Sequence, residues 1–323
     1  MFDAAVAAVD PRRVLPAHAR LQDGRFVVER RGRALSCALP DRVAGGRLRV
    51  IALGKAADSL VAGLSAVPGL AAEVDEGIVV GQSPPATGPV AVPHLDPARW
   101  SFHAGDHPWP GPRSLAAGEA VLRFAARARP ADRHIVLLSG GASALCAAPV
   151  AGVTLDEKDA TLRALMRSGA AIADLNAVRK HLSAIKGGRL GELLGGLLGP
   201  AGVLTLAVSD VQGDDPSVIA SGPTVPDPTT FADARAILER HGVWPDIPPA
   251  VRRHLEAGLA GAVAETPKPS PGLVVDAAYG LVATLDDALE AVTRAATPDA
   301  AGDLQVISLG RSLYGDVADH ARQ

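Results

Sequence analysis

Three aspartates, Asp210, Asp214 and Asp215, crowd into the stretch SDVQGDDPSVIASGPT (residues 209–224), directly after an apolar, strand-like run at 203–208. Carboxylates this close repel one another unless a cation, a metal ion or hydrogen-bond donors offset them. A surface turn needs one Asp for its geometry and rarely three. The loop is therefore expected to hold something. Hard oxygen donors at a strand end suit Mg²⁺, which makes Asp210, Asp214 and Asp215 the candidate metal ligands. Asp214-Asp215-Pro216 also has the form of a helix start, and Pro223, Pro226 and Pro228 force an extended course beyond it.

Three other stretches could meet an anion. In LLSGGASALC (137–146) the small side chains of Ser139, Gly140, Gly141, Ala142 and Ser143 would let backbone N–H groups converge on a phosphate. The same stretch suits a plain strand-to-helix turn. A serine nucleophile at Ser143 fits poorly, because Leu145 stands where G-x-S-x-G needs its second glycine and only His241, His254 and His320 could follow an acid. ALGKAA (52–57) sets Lys55 just past a strand end, in reach of a phosphate or carboxylate, or simply of solvent. ADLNAVRKHLSAIKGGRL (173–190) clusters Arg179, Lys180, Lys186 and Arg189 near Asn176, as a polyanion such as a nucleoside triphosphate or a solvated basic face would require. His103, Asp106 and His107 in FHAGDHPWPGPRS (102–114) have ligand-like spacing, but without a third histidine a hydrogen-bonded loop is the better reading.

Composition sharpens these choices. Of 32 basic residues only five are lysines (Lys55, Lys158, Lys180, Lys186 and Lys268), and Asn176 is the single asparagine. Three of those lysines and the asparagine fall in the two stretches just named, where a point charge would serve better than a guanidinium fork. Lys158 and Lys268 fall in ordinary polar segments. An anion cradle, a basic helix and a carboxylate loop together point to Mg²⁺-assisted phosphoryl transfer from a nucleotide.

The elements that must position these groups alternate. Near-continuous apolar runs at 49–54, 76–81, 134–140, 202–210 and 304–310 read as buried strands, and helical patterns occupy 56–67, 112–128, 154–169, 231–242 and 285–296. This alternation predicts an α/β fold, a Rossmann-like three-layer sandwich with a mainly parallel sheet and helices on both faces. Ligands in such folds gather at the carboxyl ends of the strands. The chain has 323 residues, 48% hydrophobic, with net charge −3 and no basic tract, which argues against nucleic acid or an anionic membrane as partner. No apolar run reaches bilayer-spanning length, the N-terminus lacks signal-peptide form, and Cys37 and Cys146 show no metal spacing, so a cytoplasmic location is expected. Residues 311–323 begin a helix without a C-cap, which reads as a severed βα unit.

VIALGKAA, LLSGGASALCAAP, LNAVRKHLSAIKGGRL and SDVQGDDPSVIASGPTVPDPTTFADA closely resemble the N-terminal domain of the class II glycerate kinases, the glycerate 2-kinases of the MOFRL family, formerly labelled hydroxypyruvate reductases. The resemblance runs densely from about Phe2 to Leu255 and more weakly through LVATLDDALEAV and SLGRSLYGDVADHA. It implies transfer of the ATP γ-phosphoryl group, with Mg²⁺, to the 2-hydroxyl of D-glycerate, giving 2-phosphoglycerate. It further implies a catalytic Lys55 and Asp210, a phosphate or nucleotide site at Ser139 to Ser143 with Lys186, and a cleft lined by Asn176, Arg179, Lys180, Ser221, Gly222 and Thr224. Residues 1–258 would form the N-terminal α/β domain and 259–323 a connecting segment and the start of a second region. The family's C-terminal domain, with GGRNQE-like and TDGxDG-like motifs, is not in this sequence, so the resemblance implies a homo-oligomer or a separately encoded partner domain. A non-catalytic remnant binding nucleotide or glycerate weakly is the alternative. A reductase, as in the older label, is disfavoured by the absence of G-x-G-x-x-G.

Overall fold

Two short helices, α1 (Phe2–Val9) and α2 (Pro11–His18), open the chain. Asp10 caps α2 by accepting the Arg12 backbone N–H, and Pro11, with no N–H to leave unsatisfied, takes its first position. Strands β1 (Ala19–Gln22), β2 (Arg25–Arg30) and β3 (Arg33–Ala38) follow as a small antiparallel sheet. Its two-residue turns, Asp23-Gly24 and Arg31-Gly32, have φ of 50°, 69°, 50° and 72°. That geometry matches the twist of paired strands. The apolar-run criterion passes over all three, because each mixes charged with apolar residues. The computed structural model describes residues 1–82, 96–195, 202–270 and 278–296, so the expected strand at 304–310 and the helix after it lie outside the described residues.

The main sheet is built from β4 (Leu48–Leu53), β5 (Val74–Gln82), β6 (Trp100–Gly105), β7 (Arg133–Leu138), β8 (Val203–Val208) and β9 (Tyr279–Ala283). All five pairings are parallel, in the order β6-β5-β4-β7-β8-β9. The four inner strands are the apolar runs expected at 49–54, 76–81, 134–140 and 202–210; the edge strands β6 and β9 are additional. The helices are α3 (Ala57–Ser65), α4 (Leu70–Glu73), α5 (Pro112–Ala125), α6 (Ala142–Leu145), α7 (Leu155–Arg167), α8 (Ile172–His181), α9 (Arg189–Leu193), α10 (Phe231–Arg240), α11 (Pro249–Leu259) and α12 (Leu285–Ala296). Capping boxes start α7 (Thr154 with Glu157) and α10 (Thr230 with Asp233).

Strand pleating sends alternate residues of β4 to opposite cores. Val50 and Ala52 join α2, α3 and the small sheet through Leu15, Leu60 and Phe26. Ile51 and Leu53 join Ala117, Val121 and Phe124 of α5. The α/β class is as expected, with the addition that one face is shared by helices and the three-stranded sheet. Helices α7, α8, α10 and α11 bury a further apolar cluster around Leu165, Val178, Phe231 and Leu255. No helix among the described residues is long and apolar enough to cross a membrane.

The foot of the sheet contains a titratable group in an awkward place. His134 on β7 is fully buried and neither ring nitrogen has a hydrogen-bond partner among the described residues. Burial, with the Arg49 cation adding to it, pushes its pKa down to about 4. An unfolded histidine titrates near 6.5, so below that pH the unfolded chain binds more protons than the folded one. Stability should be full above pH 6.5, fall as the pH drops from there to about 4, and lose roughly 3 kcal/mol in all from this group. Urea unfolding at pH 7.0 and 4.5 checks this. His134→Leu should flatten that part of the profile, and an unchanged slope in the variant would contradict the assignment.

Candidate active site at the carboxyl ends of β4, β7 and β8

Because β4, β7 and β8 are adjacent and parallel, the loops that leave them emerge side by side. The first two are stitched together. Ser139 N–H donates to Leu53 O at 3.0 Å, Lys55 N–H donates to Gly140 O at 2.9 Å, and Ala56 N–H donates to the Ser139 hydroxyl at 3.0 Å. Ser139 is thus a buried brace, and Gly140 and Gly141 form the wall between two charged groups. A Cβ at Gly140 would strike the Asp210 carboxylate. A Cβ at Gly141, whose φ of 82° already disfavours a side chain, would lie 2.9 Å from Lys55 Cγ and 3.3 Å from His107 Cδ2. Lys55 and Asp210, both exposed, therefore flank the diglycine. The N–H groups of Gly140, Gly141, Ala142 and Ser143 donate to no described residue, as a backbone cradle for an anion requires.

A chain of polar contacts runs from this cradle to α8. The Arg179 guanidinium donates to Asn176 Oδ1 at 2.7 Å, and the Ser221 hydroxyl donates to the same oxygen at 3.1 Å. Ser221 has one proton and gives it to Asn176, so Ser143, 2.9 Å away, must donate to Ser221. Ala220, Ser221 and Gly222 all lie in the left-handed region, at φ of 53°, 61° and 60°. Gly187 N–H and Gly188 N–H hold the distorted turn by donating to Ser221 O (3.1 Å) and Gly222 O (2.7 Å). Strain of this kind persists where surrounding contacts over-determine it, and here it aims the Ser221 hydroxyl at the cleft. Ser143 meets a serine rather than a histidine, which leaves the nucleophile-elbow reading without a base.

Beneath the cradle lies a partly open cavity of about 230 Å³. Its polar lining includes Lys158 from α7, Arg179 from α8, Lys186, Ser143, Asp159 and His107, and its apolar lining includes Trp109, Leu155, Leu162 and Met166. Lys158 is 5% exposed and Lys186 2%, and neither forms an ion pair among the described residues. Burial and the neighbouring Lys186 and Arg179 cations push the Lys158 amine well below its usual range. Burial brings Lys186 down to about 8. Asp159, the carboxylate on the lining, is committed to Arg163 at 2.6 Å, and Arg163 stacks over Trp109 at 3.8 Å. Buried cations are expensive unless an anion joins them. A second, open cavity of about 460 Å³ is lined by Gly140, Asn176, Asp210, Gln212 and Ser221, and meets the first at Gly141, Ser143 and Arg179.

Not every expected cleft residue comes here. Lys180 is turned away into a buried ion pair with Asp227 at 3.3 Å. Thr224 is fully buried and accepts the Thr205 hydroxyl proton at 2.8 Å. Both belong to the packing behind the cleft, a correction to their expected place on its lining. The three aspartates form no common ligand set: the described residues hold no group of three or more His, Cys, Asp or Glu side chains placed for a metal. Asp210 leans over Gly140, whereas Asp215 accepts the Ser217 N–H at 2.8 Å. Mg²⁺ commonly takes only one or two carboxylates, the remainder coming from phosphate oxygens and water. A single exposed carboxylate beside the open cavity fits that pattern, and a three-aspartate cage does not. Asp106 pairs with Arg113 at 2.6 Å, in keeping with a hydrogen-bonded loop. Lys158, expected in an ordinary polar segment, is the functional candidate that the sequence hid. Its signal was position: Leu155, Lys158, Leu162 and Leu165 recur at the spacing of the buried face of α7.

Residues 1–256 match the family described as a domain of unknown function, DUF4147. The chain is 36% identical over 264 residues to a glycerate 2-kinase of Pyrococcus horikoshii, covering 82% of this chain and 54% of that protein. It is 38% identical over 324 residues to a putative hydroxypyruvate reductase of Agrobacterium vitis, covering 100% of this chain and 63% of that one. The crystal structure of a Thermotoga maritima glycerate kinase superposes with a TM-score of 0.69 at 29% identity, covering 91% of this chain and 60% of the other. The chain thus spans between half and two thirds of the length of these relatives.

Proposed function

The chain belongs to the DUF4147 family, the class II glycerate kinases, and from that premise we propose that it carries the phosphate- and acceptor-binding groups of a glycerate 2-kinase site. The reaction moves the γ-phosphoryl group of ATP to the 2-hydroxyl of D-glycerate, giving 2-phosphoglycerate and ADP. The observation that carries this reading is the pairing of buried, uncompensated cations with an exposed carboxylate across a diglycine wall of unoccupied N–H donors.

Phosphoryl transfer asks a protein mainly to position the reactants and to offset charge on the equatorial oxygens. The N–H groups of Gly140 to Ser143 would bind those oxygens, and Lys55, on the far side of Gly141, would meet the phosphoryl group as it passes. Asp210 would hold the nucleotide's Mg²⁺, whose chemistry is to neutralise phosphate charge. Asn176 fixes Arg179 and Ser221 at the junction of the two cavities, so their donors are set before substrate arrives. The reductase name carried by two relatives receives no support from the sequence, which has no G-x-G-x-x-G.

A coupled assay of ADP release by the purified protein with MgATP and D-glycerate tests the proposal. Turnover that depends on D-glycerate is expected. ATP hydrolysis indifferent to D-glycerate, or none from folded protein, would refute it.

A further inference from the structure

We propose that the smaller cavity, walled by Lys158, Lys186 and Arg179, is the carboxylate site of the acceptor, so that a small hydroxy acid enters acid-first and leaves its hydroxyl at the wall shared with the larger cavity. This rests on the kinase reading for the reaction and on the cavity alone for the ligand class. Two lysines more than nine-tenths buried, with no acid to pair with among the described residues, amount to a site that calls for a bound counterion. At about 230 Å³ the cavity is below the roughly 300–1,000 Å³ typical of drug-sized ligands, and suits a three-carbon acid better than a nucleotide. Trp109, Leu155, Leu162 and Met166 offer a carbon skeleton an apolar flank, and the one carboxylate on the lining, Asp159, is already paired with Arg163.

The geometry also orders the two substrates in space. Gly141, Ser143 and Arg179 line both cavities, which meet there. An acid seated on Lys158 and Lys186 would present its far end to the Gly140–Ser143 cradle and to Lys55. Phosphoryl donor and acceptor would then meet where the two cavities join, the acceptor hydroxyl approaching the phosphorus from the side opposite the leaving oxygen, as an in-line displacement needs.

Protonation follows from the same surroundings. Lys158 faces Lys186, Arg179, Cys146 and Asp159, with His107 across the cavity, so cations outnumber the one acid, and that acid is already paired. A carboxylate entering this group raises the affinity of the lysines for protons. Binding should take up protons near pH 8, and should weaken as the pH rises further.

Calorimetric titration of the purified full chain with D-glycerate, glycerol and inorganic phosphate, repeated with Lys158→Met, tests the proposal. Met keeps the length and removes an uncompensated buried charge, a change that is often neutral or stabilising, so loss of folding is not the expected confounder. D-glycerate should bind and glycerol should not. Lys158→Met should weaken D-glycerate at least about tenfold and abolish part of the proton uptake, with MgATP affinity unchanged. Equal binding of D-glycerate by both proteins overturns the proposal. So does no binding by the parent protein, and so does an equal loss for phosphate or MgATP, which would make the cavity a phosphate site. The kinase reading fails separately. Tight D-glycerate binding without ADP release would sink that reading and keep the carboxylate site. ADP release with an unchanged KM for D-glycerate in Lys158→Met would do the reverse.

Discussion

Asp210→Asn is expected to lower D-glycerate-dependent ADP release at least about a hundredfold while shifting stability by less than about 0.5 kcal/mol. The substitution keeps the shape and removes the charge. Asp210 is exposed and no packing depends on it, so a folding defect is not anticipated. The carboxylate leans over Gly140, where even a methyl group would displace it, and that places it against the N–H cradle on the side opposite Lys55. A group so placed acts on charge that develops during transfer, and loss of one such electrostatic partner commonly removes two to three orders of magnitude. Asp215→Asn is the control. Its carboxylate receives the Ser217 N–H, a local turn contact, so its effect on turnover should be less than about tenfold. Equal losses in the two variants would mean that the loop's negative charge matters as a whole and Asp210 has no separate role.

Asp227→Ala is expected to destabilise the protein by about 3–5 kcal/mol, a large part of the roughly 5–15 kcal/mol that folded domains possess. Asp227 is fully buried and receives hydrogen bonds from Lys180 Nζ (3.3 Å), Thr229 Oγ1 (2.7 Å), Thr229 N (3.1 Å) and Thr266 Oγ1 (3.1 Å). It fastens α8 to two segments remote in sequence. Removing it leaves Lys180, 4% exposed, as a buried cation with no ion-pair partner among the described residues. The double variant Lys180→Met with Asp227→Leu should recover more than half of the loss, because replacing both partners spares the desolvation penalty of a lone charge. Urea midpoints of the single and double variants decide this. A double variant no better than Asp227→Ala would show that the threonine contacts, and not the lysine, carry the energy.

The contrast between these two aspartates shows what the sequence could disclose. The inner strands were legible because burial on both faces forces near-continuous apolar runs, and the loops at their ends stood out through residues unusual for turns. Gly140, Gly141, Ser143, Asn176, Arg179, Lys186, Asp210 and Ser221 line two adjoining cavities, with Lys55 beside Gly141 and Ser139 buried behind the diglycine. Direction within a helix was less legible. Arg179 and Lys180 are neighbours in sequence, yet a rotation of about 100° per residue sends one to the cavity and the other into the packing against Asp227. Lys158 was hidden for the converse reason: its flanking charges, Asp156, Glu157 and Asp159, made the segment look solvated although its own place is on the buried stripe. The small sheet did carry a hairpin signal in Asp23-Gly24, outweighed by the arginines on either side of it.

Strands β7 and β8 lie side by side but are separated by residues 139–202, and that excursion holds α6 to α9 and the cations of the smaller cavity. Closing a flexible loop of this length is disfavoured by about 2.5 kcal/mol more than closing a four-residue turn. Contacts within the excursion, such as Thr154 with Glu157 and the packing of α7 on α8, are local and have no such delay. The kinetically reasonable order is helices first and strand pairing afterwards, since a chain whose ends are already gathered closes more readily. The pace of refolding is then governed by how soon the segment bearing Lys158, Arg179 and Lys186 takes shape.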